Sequence, residues 1–159
     1  MKTKLLILDR DGVLNVAPKR DKRYITEISE LSLNYDFINN LKYLDKKIAI
    51  CVVSNQQGVS KGLVNQTLIK KIEIIIQREL SNFNISITRF YYCFHLEEEN
   101  CNCRKPKIGN FIKAMEDFEV SPGECMYIGD ENSDEKSASA ANILFYYVKD
   151  VSPQLITSL

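Results

Sequence analysis

Long apolar runs are missing from this sequence of 159 residues. None approaches the roughly 18 to 20 residues of a bilayer-spanning helix, and no small-residue cleavage site follows the opening Met-Lys-Thr-Lys. A cytoplasmic protein without a membrane partner is therefore expected. Excess charge is missing as well, since lysine plus arginine (21) balances aspartate plus glutamate (21). No global basic field exists to hold a nucleic acid backbone by counterion release. Nucleic acid is thus not an expected partner, and an anionic ligand must be met by local charges. Proline occurs four times, in loops or at helix starts, and internal repeats, low-complexity tracts and flexible linkers are absent. The length fits one domain with one core and one active site, and a monomer is expected.

Histidine occurs once and cysteine five times, an odd number. Cys51 and Cys125 sit beside apolar runs, where a thiol behaves as a small hydrophobe, so a disulfide framework is a poor reading. The other three cysteines cluster with the single histidine. Cys93 and His95 are separated by one residue, as are Cys101 and Cys103, which makes two claws joined by a five-residue span. Thiolate and imidazole select zinc, and four protein ligands leave no open coordination position. A structural site is expected, one that folds the loop and fixes Arg104 and Lys105 just beyond it. Glu97, Glu98 and Glu99 inside the loop read as solvated.

Short apolar runs recur at Leu5 to Leu8, Ile48 to Val53, Phe90 to Tyr92, Met126 to Ile128 and Ile143 to Val148, each the length of a buried strand. Helical spacing fills the gaps: Phe37, Leu41 and Leu44; then Leu68, Ile72, Ile75, Ile76 and Leu80; then Ile108 to Phe118 and Asp134 to Ala141. Strand and helix in alternation predict an α/β fold, a central parallel sheet covered on both faces by right-handed crossovers. Gly12 to Asn34 and His95 to Lys105 are expected to be irregular. Residues 1–150 form the expected domain, with the metal loop at 93–103, and 151–159 a loosely packed tail.

In such sheets ligands bind beyond the carboxyl ends of the strands, and polar motifs follow four of the five runs. Asp9 and Asp11 follow the first; two carboxylates so close repel unless a cation lies between them, and an oxygen-only set suits magnesium. One aspartate could then attack phosphorus while its neighbour handles the proton. Gly12 permits the turn that follows. Ser54 and Asn55 end the second run with a hydroxyl, an amide and free backbone donors for a phosphoryl oxygen. Gln56 to Gly62, with Lys61, reads as a substrate-side loop. Arg104, Lys105 and Lys107 flank Pro106 and place cations where phosphoryl transfer needs charge neutralised. Asp130, after Gly129, could complete the magnesium shell opposite Asp9, with Asp134 one turn later holding the loop or capping a helix. Each motif alone is also a plain turn, basic patch or helix cap.

Together, Asp9-Arg-Asp11-Gly-Val, Ser54-Asn55-Gln56, Lys105 and Gly129-Asp130 resemble the haloacid dehalogenase superfamily of phosphatases. The set Cys93-x-His95 with Cys101-x-Cys103-Arg104-Lys105-Pro106 is similar to the zinc-loop branch of heptose bisphosphate and histidinol phosphatases. The resemblance runs from about Lys4 to Val148. It implies a Rossmann-like three-layer sandwich without a large cap domain. It also implies a nucleophile at Asp9 that forms an aspartyl-phosphate, and an acid and base at Asp11. Ser54 and Lys105 would hold the phosphoryl group, and Asn55, Gln56, Arg104 and Lys61 would grip a small phosphorylated substrate, a sugar bisphosphate. Magnesium would be held by Asp9, the main-chain carbonyl of Asp11 and Asp130. Two positions depart from that pattern: Glu131 stands where a lysine commonly follows the Gly-Asp pair, and Phe94 replaces a proline between zinc ligands. The first reverses a charge near the phosphate; the second leaves the ligands intact. Gly109 leans toward the heptose branch.

Overall fold

All five apolar runs become strands: β1 Leu5–Leu8, β2 Ala49–Asn55, β3 Arg89–Cys93, β4 Cys125–Gly129 and β5 Leu144–Tyr147. The computed structural model describes residues 2–18 and 22–159. Of the irregular stretch expected over Gly12 to Asn34, residues 19–21 lie outside the described residues. The sheet is wholly parallel in the order β3-β2-β1-β4-β5, with Leu8 beside Val52 on one side and Ile128 on the other. The chain adds strands outward from β1, then returns to its other edge with β4. The gap between the carboxyl ends of β1 and β4 is the switch point where such sheets bind ligands.

The period of two along each strand divides the core into two layers. Leu6, Leu8, Ile50, Val52, Met126 and Ile128 face one way, against α1 Tyr35–Ile38, α2 Gln66–Ser81 and α5 Pro153–Thr157. Leu5, Ile7, Cys51, Val53 and Tyr127 face the other, against Phe111 and Ala114 of α3 Gly109–Asp117 and Ala138 of α4 Asn132–Ala140. Three layers follow, the fold expected from the alternation. The α2 stripe of Leu68, Ile69, Ile72, Ile76 and Leu80 is buried, and each such side chain contributes about 1.5 to 3 kcal/mol on leaving water. The Asn65 side chain accepts from Leu68 N–H and caps the helix.

Two expectations differ. The helix anticipated around Phe37 to Leu44 is α for one turn only and tightens into a 3-10 segment over Asn39–Tyr43. The last nine residues are not a loose tail: Ser152 caps α5, and Ile156 and Leu159 are buried in the layer that holds Phe37 and Leu41. One buried side chain on a five-residue helix and one just beyond it are too few to register as a period, yet they close the edge of the core. No described helix is long and apolar enough to cross a membrane.

Candidate active site and metal centre

The switch point opens into a cavity of about 480 Å3 lined by Asp9, Asp11, Ser54, Asn55, Arg104, Lys105 and Asp130 among others. These come from the ends of β1, β2 and β4 and from the loop after β3, so four separate sequence motifs share one wall.

Lys105 is the hub. It is 5% exposed, and its Nζ lies 2.8 Å from Asp9 Oδ2 and 2.7 Å from Asp134 Oδ1, within reach of Tyr127 Oη at 3.0 Å and the Val53 carbonyl at 3.3 Å. Burial alone would discharge the amine, but Asp9 and Asp134 outweigh it and keep the ammonium charged. Its backbone is fixed by Asn55, whose Oδ1 accepts from Lys105 N–H at 3.0 Å and whose Nδ2 donates to the Lys105 carbonyl at 3.2 Å.

Asp134, third residue of α4, spends every lone pair on structure. Oδ2 accepts from the Asp130 and Glu131 N–H groups at 3.0 Å each, and Oδ1 from the Tyr127 hydroxyl at 2.8 Å as well as Lys105. It holds the loop after β4. Asp130 is left differently: its Oδ1 is buried with no hydrogen-bond partner. One carboxylate oxygen from each of Asp9, Asp130 and Asp134 lies within 4.8 Å of the others. Burial raises the Asp9 carboxyl to about 6, Lys105 pulling against it and Asp134 adding to it. Burial also raises Asp130 to about 7, with help from Asp9, Asp134 and Glu131. An orphaned buried oxygen in a group of three carboxylates answered by the single ammonium of Lys105 suits a small oxygen-seeking divalent cation. Each Asp134 oxygen already takes two donors, whereas Asp9 Oδ1 takes only Arg10 N–H at 2.7 Å and Oδ2 only Lys105, so Asp9 keeps acceptor capacity beside the unpartnered Asp130 oxygen.

The Asp11 side chain does not belong to that cluster. Its carboxylate takes Arg10 Nη2 at 2.9 and 3.0 Å, Arg10 Nε at 3.1 Å, Asn15 Nδ2 at 3.0 Å and Gln56 Nε2 at 2.8 Å. Burial opposes its charge, but Arg10, Asn15 and Gln56 win and hold the carboxyl below its usual range. The expected repulsion between Asp9 and Asp11 is thus relieved for Asp11 by a buried arginine, not by a shared cation. Gly12 turns the chain at φ +89°, and a Cβ there would stand 2.0 Å from Asp130 Oδ2. Only glycine lets the β1 and β4 loops meet.

The remaining expected residues divide. Ser54 is buried at the cavity wall, its Oγ accepting from Gln56 Nε2 at 3.2 Å. Arg104 lines the cavity with its Nη1 buried and unpartnered. Gln56 is committed to Asp11 and Ser54, and its neighbour Gln57 lines the cavity instead. Lys61 is exposed above the Tyr24 ring, 5.9 Å from its centroid, and is not among the lining residues. Arg23, Tyr24, Glu131 and Ser133 complete the wall. Of these Arg23 and Tyr24 gave no signal in the sequence, being single residues in an irregular stretch.

Cys93, His95, Cys101 and Cys103 converge, all four ligand atoms within 4.8 Å of one another. Cys93 Sγ is 3.6 Å from Cys101 Sγ and from His95 Nδ1; Cys103 Sγ is 3.6 Å from Cys101 Sγ and 3.2 Å from His95 Nδ1. A tetrahedron with sulfur about 2.3 Å from its centre has edges of about 3.7 Å, so the donors fit zinc. Glu97–Glu99 form an exposed 3-10 turn away from the ligands, as expected. The loop closes on α3, where Gly109 N–H donates to the Asn102 carbonyl at 2.9 Å.

Comparison with known proteins agrees with this geometry. The family of haloacid dehalogenase-like hydrolases matches residues 76–148. A D-glycero-alpha-D-manno-heptose-1,7-bisphosphate 7-phosphatase of Campylobacter jejuni is 33% identical over 144 residues, covering 90% of this chain and 80% of that protein. A D-glycero-beta-D-manno-heptose-1,7-bisphosphate 7-phosphatase of Haemophilus influenzae is 29% identical over 147 residues, 88% of this chain and 78% of its own. In fold, the chain superposes with a TM-score of 0.83 on a D,D-heptose 1,7-bisphosphate phosphatase of B. bronchiseptica solved with magnesium and phosphate. That pair is 24% identical, with 92% of this chain and 80% of the other covered.

Proposed function

This chain belongs to the haloacid dehalogenase-like hydrolases, among relatives named heptose bisphosphate phosphatases, and on that premise we propose that it is a magnesium-dependent phosphomonoester hydrolase. Its substrate is D-glycero-D-manno-heptose 1,7-bisphosphate, from which it removes the C7 phosphate in nucleotide-activated heptose biosynthesis. It works in the cytoplasm as a monomer. The observation that carries the reading is the meeting of Asp9, Asp130 and Lys105 in one cavity at the switch point of the sheet.

Asp9 is the nucleophile. One of its carboxylate oxygens attacks phosphorus to form an aspartyl-phosphate as the bond from phosphorus to the sugar oxygen breaks. Asp11, ionised in the free protein, takes up a proton when the substrate dianion enters, gives it to the departing sugar oxygen and later takes one from the water that hydrolyses the intermediate. The Lys105 ammonium and the Ser54 hydroxyl hold the phosphoryl oxygens, and Lys105 is prevented from drifting by Asn55. Asp9, Asp130 and the Asp11 carbonyl would hold magnesium, which would supply charge neutralisation for the phosphoryl group and the carboxylates. Gln56 acts on the substrate only through Asp11 and Ser54. Arg104, which lines the cavity and has a guanidinium nitrogen without a hydrogen-bond partner, takes the second phosphate. Zinc in the Cys93, His95, Cys101 and Cys103 site fixes the loop that delivers Arg104 and Lys105.

Glu131 favours a second reading, a phosphosugar-binding protein with impaired catalysis, because it places a further carboxylate on the cavity wall beside Asp130. A phosphate-release screen separates the two. Both anomers of the heptose bisphosphate, fructose bisphosphate and histidinol phosphate are offered with magnesium and with chelator. Magnesium-dependent release, fastest from a heptose bisphosphate, is expected. Binding of the sugars without release from any of them would establish the second reading, and preference for histidinol phosphate would correct the substrate.

A further inference from the structure

Arg10 is buried, 1% exposed, and only one side of its guanidinium is used. Nε and Nη2 grip Asp11, whereas Nη1 is buried without a hydrogen-bond partner. Two other buried polar atoms share that condition nearby. The Tyr92 hydroxyl has no hydrogen-bond partner, and neither has Glu73 Oε1. Arg10 and Glu73 are the two charged groups that act on the Tyr92 hydroxyl, Arg10 stabilising its ionised form and Glu73 opposing it. Tyr92 stands in register with Ser54 of the cavity wall, and its hydroxyl faces Arg10 of the β1 loop and Glu73 of α2, none of the three lining the cavity itself.

The cost of this arrangement argues for a use. Glu73 is 8% exposed on the stripe of α2 that buries Ile69, Ile72 and Ile76, where an alkyl side chain would be cheaper. Its other oxygen pairs with Lys70 Nζ at 2.9 Å, a side chain that is 72% exposed, so the surface pair answers only half of the carboxylate. Tyr92 cannot turn away. Its ring is stacked between Phe90 and Phe94, with centroids 5.9 and 5.7 Å apart, and its backbone lies in register with Ser54. Burial, the largest influence, keeps its hydroxyl protonated and so able to donate. A guanidinium with a carboxylate in front and the Tyr92 hydroxyl behind, itself faced by Glu73, has one orientation.

We propose that Glu73 and Tyr92 are positioning residues for the reaction: they fix the unused edge of Arg10, and through Arg10 they fix the carboxylate of Asp11. This rests on the catalytic role given above to Asp11, yet the contact itself can be read without turnover. The test uses full-length Glu73→Gln and Tyr92→Phe, each nearly isosteric, with Lys70→Ala as a control for the surface pair. Nitrogen-15 NMR follows solvent exchange of the Arg10 Nε–H, assigned by its loss in Arg10→Lys. The expected result is exchange at least about tenfold faster in both variants and not in Lys70→Ala. With it kcat should fall about tenfold, the scale of a small misplacement of a reacting group, while KM and phosphate binding hold. Unchanged exchange in both variants overturns the inference, whatever the activity. Faster exchange accompanied by kcat, phosphate affinity and melting temperature falling in step would make the pair merely structural and overturns it too. If the wild type hydrolyses no phosphomonoester, the proposed function fails while the exchange measurement still decides whether Glu73 and Tyr92 hold Arg10.

Discussion

Asn55 clamps Lys105 at two points, its Oδ1 accepting from the Lys105 N–H and its Nδ2 donating to the Lys105 carbonyl, across fifty positions of sequence. The side chain of Lys105 then reaches Asp9 and Asp134 from a backbone that cannot slide. Asn55→Ala keeps every charge of the site and removes only the clamp. We expect kcat/KM to fall about 10- to 100-fold with the fold retained, since misplacing a catalytic group by about 1 Å costs on that order. Steady-state kinetics beside circular dichroism checks it; an unaltered kcat/KM would mean that the zinc loop alone holds Lys105.

Gly12 tests the meeting of two loops. A methyl group at φ +89°, placed 2.0 Å from Asp130 Oδ2, has to push Asp130 away. Gly12→Ala should lose magnesium affinity by tenfold or more as well as stability, by roughly 1 kcal/mol or above. Isothermal titration with magnesium gives the first quantity and denaturant unfolding the second.

The two raised carboxyls give the metal-free protein a distinctive response to pH. Asp9 and Asp130 titrate near 3.8 when unperturbed but at about 6 and about 7 in the folded chain, burial being the main cause of each shift. The folded state therefore binds more protons between those values. The stability these groups contribute is complete below 3.8 and is lost as pH rises through 6 to 7. Without divalent cation, the melting temperature should decline between about pH 4 and 7, and magnesium should remove most of that decline by binding the ionised pair. Thermal melts at several pH values, with and without magnesium, measure it; a decline of equal size in both series would mean that the cation binds elsewhere.

Zinc and magnesium should separate by their effects. A strong chelator of zinc should unfold the loop between Cys93 and Lys105, abolish activity and leave the five-stranded sheet in place. Zinc, not magnesium, should restore it. Elemental analysis should find one zinc per chain, and a fully active protein free of zinc would refute the structural site.

What the sequence made legible was local. Four donors of soft or imidazole type within eleven residues read as zinc without any knowledge of the fold, and their convergence agrees. Apolar runs located all five strands: β1, β2 and β4 are buried on both faces and leave an unbroken hydrophobic signature, while the half-buried edge strands β3 and β5 are marked by their aromatics. Partners distant in sequence were hidden. Gln56 was expected to touch substrate, but its amide goes to Asp11, 45 positions away. Tyr127 read as a plain core aromatic, yet its hydroxyl bridges Lys105 and Asp134. Arg10 carries no periodic signal, although a lone cation between two aspartates at a strand end was a clue. Lys61 read as part of an anion loop because it stands beside glycines; it lies over the ring of Tyr24, a residue of the cavity wall that carried no signal of its own.

The most direct test is the hydrolysis of heptose 1,7-bisphosphate by Asp9→Asn beside the wild type, both with zinc bound and saturating magnesium. The account predicts release of the C7 phosphate by the wild type and a loss of at least about a thousandfold in kcat for the variant, with its melting temperature preserved or raised. Turnover by Asp9→Asn within tenfold of the wild type would contradict it, because the attack on phosphorus would then not be made by Asp9.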